Sequence, residues 1–291
     1  MAPIFEVKTS QTQTIKTIVE TLYNLVTDYS IIITPPVIQD GDTETEDGER
    51  VGGISIKEMN KGETVLVLCK LFADKFEHYE YNYHESKFII GINAENLLKY
   101  MKCMTNIDTL TWRVDEDDTN KLIMILESDR EKKTLKINLM ELYYEDRNIK
   151  KIKPTYMASM ESQGLQKYCK DFNNIPYEKI NIMCNDKHVI LSSKNESGEA
   201  EFIIPELKDG LRIHKVDKNG DDIVQGIYEL KYLLYFTKCI SLSDGVNIYL
   251  KNKHPIIIEY PIALNSAISD DSGNFGELKL VLAACKPDNL Y

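Results

Sequence analysis

Apolar and polar residues alternate with period two over most of the chain, and a helical period interrupts that alternation four times. Period two sends successive side chains to opposite faces of a strand, so it predicts half-buried antiparallel sheet. Such runs are 64–71 (TVLVLCKL), 109–114 (TLTWRV), 121–127 (KLIMILE), 134–139 (TLKINL), 179–184 (KINIMC), 246–250 (VNIYL) and 255–260 (PIIIEY). Turn-forming DEDDTN (115–120) and NDK (185–187) join neighbouring runs as hairpins.

The interruptions place apolar residues at i, i+3, i+4 and i+7, the pattern of a helix with one buried stripe. The stripes are Ile15, Ile18, Val19 and Leu22; Ala94, Leu97, Leu98 and Met101; Leu165, Tyr168, Cys169 and Phe172; and, within apolar 228–239, Leu230, Leu233, Leu234 and Thr237. Each predicts a helix of about three turns. Ser10, Asn93 and Ser162 stand where N-caps belong.

The order strand, helix, several strands, helix, several strands runs to about residue 141 and begins again at about 155. Two copies of one α+β unit are expected, with domains at 1–141 and 155–291. Between them, 142–154 (LYYEDRNIKKIKP) reads as a connecting loop with apolar points at Tyr143, Ile149 and Ile152. In QDGDTETEDGER (39–50), six of twelve residues are acidic, which predicts a solvated loop.

The 291 residues contain 43% hydrophobic side chains, enough for a packed core. The N-terminal stretch lacks a basic segment followed by an apolar one, and no apolar run reaches the length of a membrane span. A soluble intracellular protein without a membrane partner is expected. The six cysteines are never closer than 15 residues, so no local zinc or redox motif forms, and reduced, mostly buried thiols are expected.

The net charge is −11, which argues against nucleic acid as a partner of the average surface. The lysines nevertheless gather on the polar sides of the four predicted helices: Lys16; Lys99 and Lys102; Lys167 and Lys170; Lys231 and Lys238. Spaced ammonium groups without an aromatic stacking platform suit a phosphate backbone rather than bases.

Phe5-Glu6, GINAENLLKYMKC (91–103), YCKDF (168–172), LKYLLYFTKCISLS (230–243), PIIIEY (255–260) and LKLVLAAC (278–285) together resemble sliding clamps of the proliferating cell nuclear antigen type. The resemblance implies two tandem DNA-clamp domains, each a duplicated βαβββ unit, with antiparallel sheets outside and four helices on the inner face. Three subunits would close head to tail around duplex DNA, with the seven lysines facing it. The edge strands at Thr134, Leu135, Lys136 and Ile137 and at Ala200, Glu201, Phe202 and Ile203 would form the subunit interface. A pocket beside the connecting loop would dock peptide motifs of polymerases, ligases and nucleases. It would use Met59, Ile152, Pro154, Pro255 and Ala283, with Val281 and Leu282 beside them. The sequence departs from the family at Thr17 and Tyr23, where lysine is common, and at Val281, where an aromatic residue is common.

The resulting expectation is a non-enzymatic, cofactor-free processivity factor that serves a replicative DNA polymerase, is handled by a clamp loader and forms a homotrimer. One subunit of a heterotrimeric checkpoint-type clamp is the alternative within the same fold. Location in the nucleus is expected, or at a cytoplasmic replication site for a large DNA virus. A metal-dependent nuclease built on DEDD (115–118) is a reading from another class, but four consecutive carboxylates between two strands fit a hairpin turn better. DKNGDD (217–222) misses the calcium-loop spacing, with its glycine early and Tyr228 at the twelfth position. His78 and His84 fall at a spacing that fits one strand face, without a third metal ligand nearby.

Overall fold

A computed structural model describes residues 2–36, 52–105, 109–144, 152–175, 177–264 and 273–285. The acidic 39–50 segment and the centre of the connecting loop lie outside the described residues. The elements fall into four successive βαβββ repeats. The first is β1 (Pro3–Thr9), α1 (Thr12–Leu25), β2 (Asp28–Thr34), β3 (Gly53–Met59) and β4 (Val65–Phe72). After a short β5 (His78–Tyr81) comes β6 (Phe88–Asn93), α2 (Ala94–Met101), β7 (Thr109–Asp115), β8 (Asp118–Glu127) and β9 (Lys132–Asn138). The third is β10 (Tyr156–Glu161), α3 (Ser162–Asn174), β11 (Lys179–Cys184), β12 (His188–Asn195) and β13 (Gly198–Pro205). After a short β14 (Arg212–Lys215), the last is β15 (Val224–Glu229), α4 (Leu230–Phe236), β16 (Gly245–Leu250), β17 (Ile256–Ala263) and β18 (Asn274–Leu282).

Contacts divide the chain into two compact units, Met1–Glu58 with Leu68–Glu145 and Ile262–Glu277, and Met59–Val67 with Asp146–Pro261 and Leu278–Tyr291. In the first, one sheet has the order β5-β1-β7-β8-β9, and β4-β3-β2-β6 are successive neighbours. In the second, one sheet has the order β13-β12-β11-β15, and β14-β10-β16-β17-β18 are successive neighbours. The duplication extends to the added strands: β5 pairs antiparallel with β1, and β14 pairs antiparallel with β10. Neither added strand is expected from the sequence, because four residues carry too little alternation to register. His78 lies in β5, but that strand ends at Tyr81, so His84 does not share its face.

The predicted stripes build the cores. Ile15, Ile18, Val19 and Leu22 are at most 3% exposed, and α1 packs on α2. In the second unit α3 packs on α4 and on a 3-10 turn, Thr237–Ser241. The Gln166 side-chain amide donates to the Thr237 carbonyl at 2.9 Å and fixes that packing. Phe172 is fully buried, with its ring 4.4 Å from Phe202 of β13 and 6.0 Å from Tyr177. A cavity of about 20 Å³ remains in this core, lined by apolar residues such as Leu165, Ile182 and Leu233. That space is far below the size of a substrate site.

Caps and ends show local corrections. Asn93 caps α2, its Oδ1 accepting the Asn96 N–H at 3.0 Å. Ser10 does not cap α1; its N–H and hydroxyl both donate to Glu77 Oε1. Ser162 is the first helical residue of α3, and its hydroxyl donates to the Ser243 carbonyl at 2.7 Å. The fourth helix is shorter than 228–239, because Tyr228 and Glu229 belong to β15 and Thr237 starts the 3-10 turn. A segment apolar on nearly every side gives no phase from which to read its ends.

Burial makes a direct prediction. Phe172→Ala removes the ring that joins α3 to β13 and should cost about 3–5 kcal/mol. A lowered urea midpoint with an unchanged slope is the expected result.

Candidate functional site

One-sided burial leaves each helix a polar face. Lys99, Lys102, Lys167, Lys170, Lys231 and Lys238 are exposed, and Lys16 is half-buried on α1. Lys102 is the C-cap of α2, and Lys238 sits in the 3-10 turn rather than in α4. The helices with these two positions hold seven lysines against Glu20, Glu95 and Asp171, so they are net basic in a chain of net charge −11. Basic character is thinnest on α1, where Tyr23 is 46% exposed beside Glu20 and Lys16 is the only base.

Several of these ammonium groups have local partners. Lys99 Nζ lies 2.8 Å from Glu95 Oε1 one turn earlier, and Lys231 Nζ lies 2.7 Å from Glu229 Oε2. The hydrogen bond from Lys99 holds the Glu95 carboxyl below its ordinary value, and the bond to Glu229 holds the Lys231 ammonium above its own. Lys170 Nζ donates to Gln166 Oε1 at 2.8 Å. Lys231 and Lys238 lie 4.7 and 5.0 Å from the ring centroids of Tyr232 and Tyr235. Exposed pairs of this kind are weak, so a phosphate can displace the carboxylate without a large penalty.

The predicted interface residues lie on strands that end their sheets, β9 and β13. Thr134, Lys136, Glu201 and Ile203 point outward, and Ile203 is 56% exposed. Leu135 and Ala200 are half-buried. Two expectations need correction at the level of side chains. Ile137 is 2% exposed, belongs to the core and leaves only backbone groups at the edge, and half-buried Phe202 turns its ring inward to 4.4 Å from Phe172.

Of the predicted pocket residues, Pro255, Val281 and Ala283 are half-buried. Lys279 and Glu259 are 3.3 Å apart, which puts Lys279, Val281 and Ala283 of the β18 segment on one face beside Ile257 and Glu259 of β17. Leu282 has the opposite parity and is 1% exposed, so its side chain is in the core and not in a pocket. The Ala283 N–H donates to the Thr64 carbonyl at 2.9 Å and brings the β3–β4 hairpin, with half-buried Met59 at its base, alongside. Lys251 Nζ donates to the Lys153 carbonyl at 3.1 Å, which holds Ile152 and Pro154 near the end of β16. Ile152 is exposed and Pro154 half-buried.

The acidic motifs have structural partners. Asp115 pairs with Arg113 within β7, and Asp118 with Lys121 at 2.7 Å within β8, on either side of the hairpin turn. In 217–222, Asp222 pairs with Lys215 at 2.7 Å, and Asp221 accepts from the Asn252 amide. Among the described residues no group of three or more His, Cys, Asp or Glu is arranged to hold a metal ion. Cys69, Cys169, Cys184 and Cys239 are buried, and burial pushes the thiols of Cys169 and Cys184 up to about 12. Cys103 is exposed and Cys285 half-buried.

Four βαβββ repeats, each burying one stripe of its helix and leaving lysine outside, define a DNA sliding clamp. The profile of the proliferating cell nuclear antigen N-terminal domain matches residues 4–147, and that of the C-terminal domain matches 148–269. The chain belongs to the proliferating cell nuclear antigen family, a family of non-enzymatic clamps that act in DNA replication. It is 25% identical to the proliferating cell nuclear antigen of Caenorhabditis elegans over 265 residues, which cover 90% of this chain and 93% of that protein. Its fold is similar to the crystal structure of proliferating cellular nuclear antigen from Entamoeba histolytica, with a TM-score of 0.79 and 21% identity over 98% of this chain and 100% of the other.

The helix faces give a prediction for DNA. Lys99→Glu with Lys102→Glu should weaken duplex binding and flatten its salt dependence, while Glu95→Gln should strengthen binding a few-fold at low salt by freeing Lys99. Anisotropy of a labelled duplex across a salt series measures both.

Proposed function

We propose that the chain forms a homotrimeric ring that encircles duplex DNA, confers processivity on a replicative DNA polymerase and recruits clients by short peptide motifs. The ring reading rests on two of the strands that end their sheets, β9 and β13. An unpaired, regular edge strand is an aggregation hazard unless a partner covers it. Here the exposed positions of β9 include Lys132, Thr134 and Lys136, and those of β13 include Glu199, Glu201 and Ile203. Lys132 and Glu199 have partners in their own sheets, Glu127 and Lys194. Lys136 and Glu201 are in no ion pair among the described residues. Like charges disfavour pairing of β9 with β9 or of β13 with β13, and opposite charges favour β9 with β13. Such a contact is heterologous, so it builds a closed ring when the rotation closes.

On this reading Lys16, Lys99, Lys102, Lys167, Lys170, Lys231 and Lys238 face the phosphates. Sequence-independent phosphate contacts of this kind have affinities on the order of 10⁻⁴ to 10⁻⁶ M and permit sliding. Base-edge contacts would instead hold the ring at particular sequences. The residues beside 142–154 take the client peptides, and that segment separates the two domains. A clamp with this cargo works where the genome is copied, in the nucleus or at a viral replication site. It has no catalytic role of its own.

Light scattering tests the assembly: a mass of three times 33.5 kDa is expected, and a monomer at high concentration contradicts it. Lys136→Glu or Glu201→Lys alone should weaken assembly several-fold, and the double exchange should restore it. A wild-type chain that assembles only with a different clamp subunit would instead establish the heterotrimeric alternative.

A further inference from the structure

A small cavity lies beneath the first helix of each unit, and the internal duplication makes the two comparable. Under α1 the lining includes Tyr29 of β2, Cys69 of β4 and Trp112 of β7. Under α3 it includes Ile180 of β11 and Ile248 of β16. Tyr29 and Ile180 hold the same place: each follows the residue that pairs with the N-cap of the next helix, Asp28 opposite Asn93 and Lys179 opposite Glu229. Trp112 and Ile248 also correspond. Trp112 pairs with Val7, two residues after buried Phe5, and Ile248 pairs with Ala158, two residues after buried Tyr156. One cavity therefore exists in two versions, walled by tyrosine and tryptophan in the first unit and by isoleucine in the second.

The exchange brings polar atoms into the core. The Tyr29 hydroxyl and the Trp112 indole N–H are buried and have no hydrogen-bond partner among the described residues. Tyr29 is fully buried and Trp112 is 7% exposed. Buried polar groups are satisfied by protein or by an ordered water in the great majority of cases. An indole N–H can only donate, whereas a hydroxyl donates and accepts, so one water can serve both. Burial, and then the nearby Cys69 thiol, hold the Tyr29 hydroxyl well above its ordinary value, so it keeps its proton. The Cys69 sulfur, on the same wall, is a weak third partner.

Size and lining separate the two cavities. Under α1 about 10 Å³ is open to the centre of a water-sized sphere, which is room for one molecule. Under α3 the space is larger, about 20 Å³, but none of the unpartnered polar groups lines it. An apolar cavity stays dry even when a water would fit. The Tyr260 hydroxyl in the second unit also lacks a partner among the described residues, yet Tyr260 lines neither cavity. Only under α1 do polar atoms without partners and space for a water coincide.

We infer that the cavity under α1 is a binding site for one water molecule, which accepts from Trp112 Nε1, bonds the Tyr29 hydroxyl and so ties β7 of one sheet to β2 of the other. The tie belongs to the first unit alone, because Ile180 and Ile248 remove both partners in the second. It also fixes the sign of a substitution. With the water in place, loss of the Tyr29 hydroxyl breaks a satisfied network and destabilises the fold. Without it, the same loss relieves a buried unpartnered group and is neutral or stabilising.

Two measurements on the full-length chain test the site. A crystal structure in which ordered waters are visible should show a peak about 3 Å from both Trp112 Nε1 and Tyr29 Oη, and none in the cavity under α3. An empty cavity under α1, or a direct hydrogen bond between Tyr29 and Trp112, overturns the inference. Urea unfolding at one protein concentration, followed by the fluorescence of Trp112, the single tryptophan of the chain, gives the second readout. Tyr29→Phe should raise the unfolded-to-folded ratio about ten-fold or more, while Tyr260→Phe should leave it unchanged or lower it. A neutral or stabilising Tyr29→Phe overturns the bridge, and so does an equal loss from Tyr260→Phe, which would trace the effect to any buried hydroxyl rather than to this site.

Discussion

Each helix of this chain has a single apolar stripe, and the burial of that stripe against antiparallel sheet is the constraint on which the rest depends. A helix covered on one side only must present its other side elsewhere. In the first unit that leaves Lys16, Lys99 and Lys102 outside the core, and in the second Lys167, Lys170, Lys231 and Lys238. An acidic chain thereby acquires basic surfaces without a basic composition. The pairing of Lys99 with Glu95 and of Lys231 with Glu229 moderates those surfaces. On the proposed reading, a phosphate that reaches Lys99 or Lys231 displaces a carboxylate already present, which keeps the hold on DNA loose.

The sheets impose the second requirement. Four repeats of the same unit produce more strand ends than one chain needs, and β9 and β13 remain at the limits of their sheets. Their outward residues differ in sign, Lys136 on one and Glu201 on the other. A surface of this kind is complementary to another copy of itself in one orientation and not in the reverse.

Much of this was readable from periodicity. The stripes of α1, α2 and α3 stand out because polar residues separate them, and the edge at 134–139 stands out because it alternates cleanly; the edge at 200–204, AEFII, lacks clean alternation and follows only from the family resemblance. The misses have physical causes. HYEY and RIHK are too short to declare themselves as β5 and β14, and pairing with β1 and β10 creates them. LVLAA (280–284) is apolar throughout, so alternation could not separate Leu282, in the core, from Val281 and Ala283 on the other face. Nothing in AEFII marks Phe202 as inward, and only the fold reveals that Phe172 occupies its face.

The central claim is that DNA is held by topology rather than by affinity. Its most direct test is retention on a nicked circular duplex after loading, followed by a high-salt wash and then by linearisation. The account predicts that the protein survives the wash on the circle and is released once the DNA has ends. Loss during the wash, or retention on the linear product, would contradict it.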